Sequence, residues 1–495
     1  MESVDSGLQE EIGLDIVITR AVRGVVVLTG RTFLLSILSL IATGFLTVFL
    51  SPSEFGVFWI VSAIVNFLAY FSDVGLAAAL IQKKDAPTED DLKTTFTIQQ
   101  ILVFLLIVIL IVLAPVFSKI YSLSFQSRLL MYSLGASLIF SSLKTIPSVI
   151  IERRLEFGKL VLPQVFENLV YNVVAVVLAW KGFGVTSFTI AVLIRGLVGL
   201  VIIYILQPWK PGLAFSKKSL KSLLTYGVPY QANTLLATLK DDGMTAVLGG
   251  ILGSTGVGYL GWAQKWGQAP LRFFMDQVLK VTFPAFARMQ DKREHLEKSL
   301  TRSIFFVCLL VFPSLVGLLI LAPVLVQIIP RYEKWTPALL PLGLVAINTI
   351  FAAVSTPLTN LLNAIGKIKT TFKLMIMWTT LTWLFIPFLG YKYGVSGAAA
   401  GYSLVGVSSI VAIYVAYTQV HFSFVYAVIK PTVAALGMSL VLLVLRSLLG
   451  VSFTSVWIII ITGIVIYSLL IFLLVGPGIV EDVKRSVKSL FSRHE

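Results

Sequence analysis

The sequence predicts an all-α integral membrane protein of about fourteen transmembrane helices, and three observations carry that expectation. Hydrophobic residues make up 57% of the 495-residue chain and charged residues only 13%, where a soluble chain has roughly 45–50% and 25%. So few charges cannot clothe a water-exposed surface of this size. Apolar stretches of about 20 residues, enough for a helix to cross a bilayer, recur along the chain. Lysine and arginine gather in alternate connections between those stretches. Disorder, a coiled coil and a secreted disulfide scaffold are excluded with the soluble classes, since the lone Cys308 has no internal partner.

The expected spans cover roughly 24–50, 55–80, 94–117, 127–150, 160–181, 184–206, 222–250, 257–285, 303–329, 337–363, 372–391, 394–418, 430–448 and 454–475. In hydrocarbon each backbone N–H and C=O needs an internal partner, which makes stretches of this length helical. Ahead of them, Glu2, Asp5, Glu10, Glu11 and Asp15 make the first twenty residues acidic and amphipathic, unlike a signal peptide. They are expected to form a helix on the membrane surface. With the N-terminus in the cytoplasm, the cytoplasmic connections and both termini hold 25 of the 39 Lys and Arg, counting Lys373 and Lys430 at span edges. The opposite side holds 7. That bias predicts a multi-pass protein with both termini cytoplasmic. The net charge of +15 is thereby a topology signal, and no nucleic-acid partner is expected.

An internal repeat organises the spans. LSPSEFGVFW at 50–59 matches LGSTGVGYLG at 252–261 on a shift of 202 residues, aligning Gly56 with Gly258. These turns join helices one and two, and helices seven and eight, so the repeat unit is six helices in parallel orientation. The expected divisions are an N-terminal segment at 1–23, an N-lobe at 24–220 and a C-lobe at 221–420. Helices thirteen and fourteen at 421–475 and a basic cytoplasmic tail at 476–495 follow. Connections are short, so function is expected inside the helical bundle.

Ionisable residues within a membrane are costly and by default face the bundle interior. The bases are Arg31, Lys144, Arg195, Lys240, Lys265, Arg272 and Lys280, and the acids Asp73, Glu167, Asp241, Asp242 and Asp276. In the eighth span Trp262, Lys265, Ala269, Arg272, Asp276 and Lys280 share one helical face. Arg272 and Asp276, or Asp276 and Lys280, can pair at i, i+4. Milder stripes join Asn66, Tyr70 and Asp73; Ser137, Ser141, Lys144 and Ser148; Glu167 and Tyr171; Asn233 and Lys240; Thr234, Thr238 and Asp241; and Asn348, Ser355, Thr359 and Asn363. Such faces from both halves predict a shared wet cavity with a positive bias. Lys and Arg in a low-dielectric pocket bind phosphate or carboxylate, and Trp262, Trp266, Tyr226 and Tyr230 suit sugar faces and hydroxyls. A lipid-tailed polar anion fits that mixture; a carrier of organic cations would be expected to show an acidic cavity. Pro147, Pro163, Pro229, Pro270, Pro313, Pro323 and Pro357 place bends within spans.

Other motifs carry nothing. Gly256, Gly258 and Gly261 form a literal GxGxxG without a preceding strand. His295, His421 and His494 are isolated, so no metal site or catalytic group is expected. No Walker motif occurs, and no cofactor is expected beyond coupling H⁺ or Na⁺.

The stretch FSDVGLAAALIQKKD at 71–85 resembles a hallmark of Wzx-type polysaccharide flippases, the polysaccharide-transporter family of the MOP exporter superfamily. SPSEFG at 51–56, ERRLEFGKL at 152–160, VTFPAFARMQDKREHL at 281–296, WTPALLPLGL at 335–344 and NAIGK at 363–367 extend the likeness in order. The resemblance implies a MOP/MATE-like fold of two pseudo-symmetric six-helix lobes plus a C-terminal helix pair. It implies a membrane transporter, not an enzyme, for export of lipopolysaccharide or exopolysaccharide precursors. Undecaprenyl-diphosphate-linked oligosaccharide would cross the cytoplasmic membrane by alternating access, with polysaccharide polymerase and chain-length machinery as partners. A cationic cavity would fall on Lys144, Arg195, Lys240, Lys265 and Arg272. KDDGM at 240–244 departs from the relatives' pattern. The alternative is a MATE-like cation-coupled multidrug or metabolite antiporter.

Overall fold

Helix starts follow local chemistry that apolar length alone does not fix. The computed structural model describes residues 14–290 and 292–476, and all their regular structure is helical. α1 (Leu14–Phe49) runs unbroken into the first span, so residues 14–20 continue that helix and do not form a separate surface one. Residues 1–13 and the basic tail at 477–495 lie outside the described part. α2 (Pro52–Ala69) begins at a capping box: Ser51 Oγ accepts from the Glu54 amide, and the Glu54 carboxylate accepts from Ser51 N at 2.6 Å. α3 (Leu76–Gln82) follows, and Thr88 with Asp91 repeats the box at the start of α4 (Glu89–Ile120). Next come α5 (Phe125–Arg153), α6 (Phe157–Trp180), α7 (Thr186–Leu206), α8 (Lys217–Thr238) and α9 (Met244–Arg288). The remainder are α10 (Arg293–Ile328), α11 (Leu339–Ala364), α12 (Ile368–Val407), α13 (Ser409–Gln419), α14 (Lys430–Leu449) and α15 (Phe453–Val475).

Among the described residues, twelve helical stretches are long and apolar enough to cross a membrane, where the sequence suggested about fourteen. Two of the twelve are overlong, Leu239–Asp276 with 38 residues and Ile368–Gln419 with 52. A straight helix of the second length would reach ~78 Å, against ~30 Å of hydrocarbon. It is not straight. Gly394 has φ 63° and ψ −145°, and a Cβ on Gly401 would lie 2.8 Å from Ile386 Cα, so the chain has turned back on itself. Gly253, at φ 67° and ψ 176°, breaks α9. Gly253 falls in the expected connection after the seventh span, and Gly394 opens the expected twelfth span.

The expected second span is interrupted as well. A single 3₁₀ turn at Tyr70–Ser72 ends it, and Val74 (φ 51°) and Gly75 (φ 75°) redirect the backbone before α3. Asp73 therefore sits in the break and not on a face shared with Asn66. Its carboxylate accepts from the Ala77 amide at 3.2 Å and from the Gln99 amide group.

The chain divides into two compact units, Met1–Gly258 and Tyr259–Glu495. In the first, α6 packs along α7 and against α1, and α5 packs along α7. Leu76, Leu80, Leu92, Phe96, Ile146 and Trp209 form an apolar cluster there. The related turns also meet in this unit. A Cβ on Gly56 would strike the Ser254 carbonyl, and one on Gly258 would strike the Pro52 carbonyl. The 202-residue shift maps the first contact onto the second, and the Ser53 and Ser254 hydroxyls bond alongside at 2.9 Å. In the second unit α11 packs along α12, and α10 against α11 and α14, around Phe305, Val311, Phe312, Ala353 and Leu358. Large apolar side chains such as Phe104, Ile205 and Leu440 point outward, as lipid contact requires.

Candidate functional site

α5, α6 and α7 bring charges together because small residues let the helices approach. On α7 Gly199 lies one turn beyond Arg195, and a Cβ there would overlap the Glu167 carboxylate of α6. Glu167 is 8% exposed. Its Oε1 accepts from Lys144 Nζ of α5 at 2.5 Å, and its Oε2 lies 3.7 Å from Arg195 Nε. The Arg195 guanidinium also covers the Tyr171 ring at 5.7 Å from its centre, a cation–π contact. From α1, Arg31 donates to the Gln164 side-chain oxygen of α6, while its buried Nε has no partner among the described residues. Two cations from α5 and α7 thus pair with one buried carboxylate on α6, and Arg31 of α1 joins α6 one turn away at Gln164.

Beside them lies a cavity of about 520 Å³. It follows α5 from Ser141 to Glu152, about 16 Å of helix. Ser141, Lys144 and Ser148, expected on one face, all line it; Ser137 does not. Its charged lining is Arg31, Lys144 and Arg195 against Glu152 and Glu167, a net positive charge of one. At the end where α5 stops, Arg153 gathers the carbonyls of Leu80 at 2.7 Å, Ile81 at 3.0 Å, Lys83 at 2.7 Å and Asp85 at 3.1 Å. This clamp ties the 71–85 stretch to the 152–160 stretch and fixes the position of Ile81, which lines the cavity.

The other expected site residues lie elsewhere. Lys240 pairs with its neighbour Asp241 in a π-helical turn at Leu239–Gly243, and Asn66 hydrogen-bonds Asp242. Lys265, Arg272 and Asp276 are exposed on α9. Arg272 donates to Gln268 at 3.2 Å and forms no ion pair with Asp276 among the described residues. The side chains of Lys280, Tyr230, Asn233 and Thr234 lie outside the described residues. Trp262 is 3% exposed; it stacks on Trp335 at 5.6 Å and donates to Tyr332 Oη at 3.1 Å. That packing removes Trp262 from the sugar-facing set. Asn348 likewise donates to the Tyr402 carbonyl at 2.8 Å, joining α11 to α12.

Sequence reasoning missed Gln164, Gly199 and Glu152. Gln164 stands one turn before Glu167 and Asn168, so helical spacing from the charge points to it, whereas Gly199 has no side chain to carry such a signal.

These features define a class of protein: a multi-pass helical membrane protein with the fold shared by lipid II flippase and MATE structures. The lipid II flippase MurJ in an inward closed conformation superposes with a TM-score of 0.73 at 18% identity, covering 90% of this chain and 98% of that one. An inward-facing multidrug-resistance MATE transporter of the MOP superfamily gives 0.57 at 18% identity, covering 80% and 98%. A family model described as polysaccharide biosynthesis protein matches residues 45–340, and the chain belongs to that family. It is similar to the lipopolysaccharide biosynthesis protein WzxC of Escherichia coli K12, 29% identical over 209 residues, which are 42% of each chain. It is also similar to the succinoglycan biosynthesis transport protein ExoT of Rhizobium meliloti, 24% identical over 306 residues, 60% of each chain. The matches therefore span about two-fifths and three-fifths of those relatives' lengths.

Proposed function

We propose that this chain is a flippase, not an enzyme, moving an oligosaccharide linked to undecaprenyl diphosphate across the cytoplasmic membrane for cell-surface polysaccharide synthesis. The observation that carries this reading is the pairing of Lys144 and Arg195 with Glu167 beside a 520 Å³ hollow that Arg31 also lines. A diphosphate needs concentrated N–H donors in a low-dielectric setting, and the serine, threonine and asparagine lining suits sugar hydroxyls. On the orientation given by the Lys and Arg bias, the cavity lies in the cytoplasmic half of the membrane, where such a cargo is loaded. The names of the relatives, which concern lipopolysaccharide and succinoglycan biosynthesis, support the same substrate class.

The transport cycle is alternating access of two six-helix lobes, at 24–220 and 221–420, with the lipid tail remaining in the bilayer. Lys240, Lys265 and Lys280 extend the cationic path. An H⁺ or Na⁺ gradient drives the cycle through Asp73, Asp241, Asp242 or Asp276. Polysaccharide polymerase and chain-length machinery take the product. The test is movement of lipid-linked oligosaccharide in vesicles containing the purified protein, under imposed pH and Na⁺ gradients. Movement that responds to a gradient supports the reading. Efflux of organic cations that needs Asp73 and survives loss of Lys144 and Arg195 would replace it with a MATE-like antiporter.

A further inference from the structure

The Glu167 cluster holds more donors than acceptors. A lysine ammonium offers three N–H groups and each guanidinium five, and they line the cavity with two carboxylates, Glu152 and Glu167, and the Gln164 oxygen. Glu167 also treats its two cations unequally. The Lys144 limb is closed at 2.5 Å, whereas the Arg195 limb, at 3.7 Å, is an ion pair too long for a hydrogen bond. The Arg195 side chain is 51% exposed against 19% for Lys144, and both line the cavity. One limb is locked and the other is open.

We propose that Glu167 is an exchangeable internal counter-ion: a phosphoryl anion entering the cavity takes the Arg195 guanidinium from Glu167 Oε2 and leaves the Lys144 limb in place. This rests on the reading of the cavity as a diphosphate site. A guanidinium fork matches two phosphoryl oxygens, and the Glu167 carboxylate, held against the α7 backbone at Gly199, does not use that fork. When the cavity is empty, Glu167 screens Arg195, so the unloaded protein carries less unpaired charge through its return step. When it is loaded, the incoming anion meets an arginine already oriented over the Tyr171 ring. Glu167 thus acts through its partners as a positioning residue, setting how tightly the anion is held and how readily it leaves.

The test is binding of inorganic pyrophosphate to the full chain purified in detergent, measured by calorimetry. Glu167→Gln is expected to bind about tenfold tighter than wild type, because the competing carboxylate is gone, and Arg195→Lys about tenfold weaker. Glu167→Asp keeps the charge but is one methylene shorter; it is expected to bind several-fold tighter, and it serves if Glu167→Gln does not fold. A purely structural Glu167 predicts weaker binding in both glutamate variants, and that result overturns the proposal. Binding that is weakened in Arg195→Lys but unchanged in the glutamate variants sinks the exchange alone. Absence of binding in wild type and all variants removes the diphosphate reading together with it.

Discussion

Two groups of bases within the spans meet different fates. On α5 and α7, Lys144 and Arg195 converge on Glu167 of α6, a buried acid from another helix. On α9, Lys265, Arg272 and Asp276 share one helix and are exposed, and Arg272 bonds the neutral Gln268. The second pattern looked stronger in the sequence, since charges three and four residues apart are easily seen. Magnitudes reverse that ranking. A pair along one exposed helix contributes roughly 0.3–0.5 kcal/mol, whereas removing one partner from a buried cross-helix pair costs about 3–5 kcal/mol. Placement of the acceptor decides, not the number of charges in a stripe.

The contrast can be broken most severely at its centre. Glu167→Ala strands Lys144 and Arg195, and is expected to destabilise the protein by about 3–5 kcal/mol in denaturant unfolding; a value below 1 would mean that the acid is not their common partner. Next in size, Gly199→Ala forces a methyl into the carboxylate's space, with an expected loss of about 1–3 kcal/mol by the same measurement. Removal of Arg195 separates function from stability. Its pair is long and half-exposed, so Arg195→Ala should cost no more than about 1 kcal/mol while transport of lipid-linked oligosaccharide falls at least tenfold. The smallest effect belongs to α9: Arg272→Ala should change stability by less than about 0.5 kcal/mol, and a larger change would show that the exposed stripe carries weight.

Much of the fold was legible in the residues. Apolar length gave the helices; the Gly253 break falls in an expected connection and the Gly394 break at the first residue of an expected span. The Ser141, Lys144 and Ser148 face was readable from spacing alone, because one helix's periodicity needs no knowledge of its neighbours. Lys144, Glu167 and Arg195 were each visible, but their meeting was not: which helices touch depends on packing of small residues such as Gly199, which spacing does not reveal. The same limit misplaced Trp262, whose partners Tyr332 and Trp335 lie some seventy residues away. Asp73 was misread for a local reason. The left-handed Val74 and Gly75 end the helical register, so the acid expected on one face with Asn66 and Tyr70 instead accepts from the Ala77 amide at the start of α3.

The central claim is tested most directly by transport of undecaprenyl-diphosphate-linked oligosaccharide in vesicles carrying Arg195→Ala or Arg272→Ala protein at matched density. The cavity account predicts at least tenfold slower movement for the first and near wild-type movement for the second. Equal rates for Arg195→Ala and wild type, with the loss confined to Arg272→Ala, would contradict it.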